Sequence, residues 1–108
     1  MFDIYRTLTE LCVLAHLHTC PPYFTTYEPN ENYVASTLHY QNEQVYKINW
    51  PHFIDMSDID KRMVLAHEAA HVKMFQLGKF DAEPHGVEWT EICVAIGGMY
   101  KCQESCKK

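Results

Sequence analysis

From Ser57 to Leu77 the chain carries neither glycine nor proline, and Met63 to Phe75 within that run is apolar on most sides. A helix without a polar stripe belongs in the centre of a small domain rather than on its surface. The ends of the predicted helix are legible too. Ser57 is an N-cap candidate, Asp58 and Asp60 place negative charge in the first turn, and Gly78 is a natural C-terminal stop. Yet two histidines and a glutamate interrupt the apolar run, as His67-Glu68-Ala69-Ala70-His71. Buried polar side chains need partners, and this requirement constrains the chain more than any other feature.

Residues four apart lie one above the other on a helix, so His67 and His71 can reach a single ion. Zinc suits imidazole nitrogen, and a catalytic zinc takes three protein ligands and leaves its fourth position to water. Glu68, beside the first ligand, can take a proton from such a water, which is the mechanical content of an H-E-x-x-H motif. The plain alternative is a surface helix with two solvated imidazoles. Leu65, Ala66, Ala69, Ala70, Val72 and Phe75 around the motif argue against it. A third ligand must come from downstream. Spacing ranks His85 first without excluding Glu83, Glu88 or Glu91.

The remaining chain reads as elements around this helix. Phe2, Ile4, Tyr5, Leu8, Leu11, Cys12, Ala15 and Leu17 recur at intervals of three and four, predicting an amphipathic helix over residues 2–18 that Pro21 and Pro22 stop. Residues 23–32 read as a loop. Tyr33–Tyr40 and Gln44–Trp50 are rich in β-branched and aromatic residues, and the short polar link between them suits a hairpin. Pro51 ends the second strand. A last helix is expected from Gly86 or Val87 to about Ile96, with Trp89 as a core anchor holding His85 in place rather than a substrate contact and Gly97-Gly98 as its break. Met63 and Met74 share the histidine face and suit either a cleft wall or ordinary packing. His16, His18, His39 and His52 lack ligand spacing and read as structural.

HEAAHVKMFQLGKF followed by PHGVEW resembles the SprT-like metallopeptidases, the group that contains bacterial SprT and the DNA-repair protease Spartan. In that family the H-E-x-x-H helix is followed by a loop and an H-G-x-x-[FW] segment whose histidine is the third zinc ligand. His85-Gly86-Val87-Glu88-Trp89 matches the segment, so the resemblance implies one catalytic zinc on His67, His71 and His85, with Glu68 as general base. The likeness spans roughly residues 33–100 and implies an α+β, zincin-like fold: an N-terminal helix, a small antiparallel sheet, the H-E-x-x-H helix and a C-terminal helix. Many relatives continue into a zinc ribbon with two cysteine pairs. Here residues 100–108 hold only Cys102 and Cys106, too few thiols for a tetrahedral structural site, and the ribbon reads as absent or vestigial.

With 108 residues the chain is expected to be a single domain. Its net charge of -5 gives no support for a whole-surface nucleic-acid binder, and Lys101, Lys107 and Lys108 read as a solvated tail. No signal peptide or membrane span is visible, and five cysteines are an odd number for a disulfide framework. The expectation is a soluble, intracellular, cytoplasmic protein with free thiols and no membrane partner. Three functions compete. The first is an endopeptidase whose substrates, by resemblance to Spartan, are DNA-bound or DNA-crosslinked proteins. The second is a non-catalytic, zinc-stabilised protein- or DNA-binding module, against which an intact Glu68 argues. The third is a peptidase dedicated to one regulatory protein.

Overall fold

The computed structural model describes residues 1–41, 43–78 and 86–97. Its elements are α1 (Ile4–Leu14), β1 (Tyr23–Thr26), β2 (Ala35–Tyr40), β3 (Glu43–Asn49), α2 (Trp50–Phe53), α3 (Asp58–Gln76) and α4 (Val87–Gly97). The α+β class is as expected, with α3 central: it touches α1, α4 and β2.

The N-terminal helix is shorter than its apolar pattern. The Asp3 carboxylate caps it by accepting the Arg6 backbone N–H at 3.0 Å, and Ile4, Leu8, Leu11 and Cys12 form its buried face. The helix ends before Ala15 because His16 adopts a left-handed conformation, φ 53°, which turns the chain back. That reversal brings Cys20 within a Cα separation of 5.6 Å of Cys12, and the two form a disulfide. Cys93, fully buried on α4, is disulfide-bonded as well. The expectation of free thiols is therefore overturned. Cysteine parity could not reveal a local bridge that depends on a turn after the helix.

The sheet also differs from the antiparallel hairpin predicted. It has three strands in the order β1-β3-β2, with β2 antiparallel and β1 parallel to the central β3. Residues 23–26 were expected in a loop. They form a strand because β3 offers them a free edge: Tyr23 aligns with Tyr46 and Thr26 with Asn49. Such pairing is set by the distant partner and not by alternation within the four residues. The hairpin itself is as expected, with Tyr40 opposite Glu43 and Ala35 opposite Ile48.

Alternation along β3 turns Gln44, Tyr46 and Ile48 inward, each buried, and leaves Lys47 on the outer side. Trp50, expected to continue the strand, instead opens α2, since Pro51 suits a first helical turn. That short helix delivers Phe53 to the core at 1% exposure. No helix among the described residues is long and apolar enough to cross a membrane.

Candidate metal centre

The long helix starts and stops where its sequence predicts. The Ser57 hydroxyl accepts the Asp60 N–H at 3.1 Å, and Gly78 leaves the helix at φ 74°, a conformation that favours glycine. Within it Leu65, Ala66, Ala69, Ala70 and Val72 are wholly inaccessible to solvent. His67 and Glu68 are buried in their company, and His71 is half-buried one turn on.

The two imidazoles converge. Their Nε2 atoms lie 3.1 Å apart. A tetrahedral zinc with its nitrogens at about 2.0–2.1 Å would hold two of them about 3.3 Å apart, so the pair is already spaced for a shared ion. Trp89, at 1% exposure, packs against both rings, with centroids 4.6 Å from His67 and 5.5 Å from His71. Its anchoring role thus falls directly on the first two histidines.

Glu68 completes the described part of the site. Its Oε2 lies 3.8 Å from His67 Nε2, while its Oε1 accepts a hydrogen bond from the Thr37 hydroxyl at 2.8 Å. Burial pushes its carboxyl up to about 7, and the Thr37 hydrogen bond opposes that rise only in part. Tyr46, beside Thr37 in the sheet, is raised above the ordinary phenol range by its own burial and by the nearby Glu68 charge. A carboxyl poised near neutrality can accept a proton from one partner and release it to another.

His85, the expected third ligand, and its rival Glu83 lie outside the described residues. So do Lys101, Lys107, Lys108 and the Cys102–Cys106 segment on which the zinc-ribbon reading rests. Glu88 and Glu91 are exposed on α4. Among the described residues no three His, Cys, Asp or Glu side chains gather as a metal group.

The other candidates resolve as structural. Met63 and Met74 are buried rather than lining an open cleft. His39 stacks on Phe75 with centroids 4.0 Å apart, and partial burial lowers its pKa. His52 Nε2 lies 2.8 Å from the Glu31 carbonyl oxygen. The His16 carbonyl accepts from Lys73 Nζ, and the His18 N–H donates to Gln76 Oε1, fastening the turn after α1 onto α3. Thr37 is the site residue that sequence reasoning missed. Its only signal was its parity on β2, legible once one residue of that strand is known to face α3.

The sequence model of the SprT-like family matches residues 25–108. Comparison with curated proteins and with solved structures returns no match.

Proposed function

Because the chain belongs to the SprT-like family, we propose that it is a zinc-dependent endopeptidase with its metal on His67, His71 and His85 and with Glu68 as general base. The observation that carries this reading is the convergence of two Nε2 atoms, 3.1 Å apart, with a buried carboxylate oxygen 3.8 Å from one of them. Zinc, when bound, would supply a Lewis acid for the scissile carbonyl and lower the pKa of water. The chain's own residues do the rest. Trp89 holds both imidazoles against the core, so the ligand pair enters the reaction with little freedom to lose. Glu68 Oε2 takes the proton of the attacking water and later passes it to the leaving amine, so one carboxyl serves as base and then acid. The buried Ala66, Ala69 and Ala70 keep the helix thin where β2 and α4 pack against it.

The substrate class implied by the resemblance is protein bound to DNA. The test is cleavage of a DNA-binding protein, with and without single-stranded DNA, by wild type and Glu68→Gln at equal zinc content. Cleavage should fall by at least about 100-fold in the variant. Cleavage by Glu68→Gln at the wild-type rate would overturn the reading.

A further inference from the structure

Glu68 has two carboxylate oxygens with separate neighbours. Oε2 is the one near His67 Nε2, and Oε1 is the one held by Thr37. A threonine hydroxyl has a single proton to donate. Thr37 Oγ1 lies 2.8 Å from Glu68 Oε1 and 3.4 Å from the Glu68 backbone oxygen, so the shorter contact takes the proton. The donor arrives from a different element, β2, which packs against α3. Its height above the helix is fixed by register: Thr37 is paired with Tyr46 on the central strand, and Tyr46 is itself buried. A slip of one residue would turn Thr37 to the outer face and withdraw the bond.

We propose that Thr37 is a positioning residue, whose hydroxyl pins Oε1 so that Oε2 is presented toward the His67–His71 pair. A buried carboxylate without this bond keeps its side-chain torsions free to swing Oε2 out of line, and a base is effective only within hydrogen-bond reach of the proton it takes. The kinetic half of this inference rests on the peptidase reading; the geometric half does not.

Three variants decide it. Thr37→Val keeps the shape and removes the donor, Thr37→Ser keeps the donor, and Glu68→Gln marks full loss of the base. With zinc content and melting temperature measured alongside, Thr37→Val should lose about 10- to 100-fold in kcat with KM unchanged, the range typical of groups that orient site residues. Thr37→Ser should stay within about threefold of wild type by the same measure. A Thr37→Val kcat equal to wild type, or equal losses in the Val and Ser variants, would overturn the proposal. If wild type cleaves no better than Glu68→Gln, it is the peptidase reading that fails. A crystal structure of zinc-loaded Thr37→Val then decides the positioning role. A displaced or doubled Glu68 carboxylate upholds it, and a carboxylate in its original place sinks it.

Discussion

Glu68 and Glu28 stand on opposite sides of the same three strands, and the fold moves their carboxyls in opposite directions. On the inner side Glu68, carried by α3, is buried against β2, has one hydroxyl donor, and is pushed up to about 7. On the outer side Glu28 accepts from the Tyr33 hydroxyl and sits 3.5 Å from Lys47 Nζ, which itself lies 4.9 Å above the Tyr33 ring. The Tyr33 hydrogen bond is the main cause that holds Glu28 below the usual carboxylate range, with Lys47 adding to it. One glutamate is kept ready to gain a proton and the other is kept from gaining one. Desolvation dominates where the strand buries its side chain, and hydrogen bonding and charge dominate where it does not. A carboxyl that exchanges protons near neutrality suits the first environment, and one that fastens a loop as an anion suits the second.

The sharpest way to break this contrast is to remove the inner cover. Trp89→Ala deletes the large side chain packed on both imidazoles and should cost about 4 kcal/mol of unfolding free energy, with zinc affinity falling alongside. Urea unfolding of the two proteins, with and without a chelator, measures both. A loss below about 1 kcal/mol would mean that the inner face collapses around the gap and never held the histidines rigidly.

The next effect is a pH signature of the metal-free protein. In the fold Glu68 keeps its proton up to about pH 7, whereas the unfolded chain releases it near 4.5. Between those values the native state binds more protons, so stability falls as pH rises and the whole cost is present above the native value. The difference corresponds to about 3 kcal/mol, which Glu68→Gln does not carry. In the presence of a chelator the variant should be more stable than wild type at pH 8 by up to that amount, and equally stable at pH 4. Parallel stability profiles for the two proteins would show that the inner face does not desolvate Glu68.

On the outer side the larger effect belongs to Asn49. It is fully buried, accepts from the Glu28 N–H at 2.9 Å, and donates to the Glu28 and Tyr33 carbonyls at 2.8 and 3.0 Å. Asn49→Ala leaves those backbone groups without partners and should cost about 2–3 kcal/mol in chemical unfolding while sparing zinc binding. Loss of zinc in this variant would mean that the two sides are coupled.

These contrasts also explain what could be read in the sequence. Ser57, Gly78 and the apolar flanks of His67 and His71 act within one helix, and local signals of that kind marked the element and the two imidazoles that converge on it. β1 was not legible, because Tyr23–Thr26 becomes a strand only through its parallel partner. Thr37 was missed for the same reason, since its role depends on which face of β2 meets α3. The Cys12–Cys20 bridge needed the left-handed turn at His16, to which a histidine gives no warning. What failed was the information held in contacts between elements, and the acid–base environment of Glu68 is built from such contacts.

The smallest effect tests the sign of the comparison. Glu28 has its folded value below 4.5, so its contribution to stability is present above the unfolded value and lost as pH falls through the folded one. Glu28→Gln should therefore lower the melting temperature slightly at pH 7 and leave it unchanged at the acid end, the reverse of what Glu68→Gln does to the metal-free protein. Because Glu28 is partly exposed to solvent, the pair with Lys47 is screened, and 1 M salt should remove the Lys47 part of the difference. What persists in salt then belongs to the Tyr33 hydrogen bond, whose acceptor is charged in Glu28 and neutral in Gln. A Glu28→Gln protein more stable than wild type at pH 7 would mean that both glutamates are held at a cost. The outer network would then be no fastener, and the opposition between the two sides of the sheet would be lost.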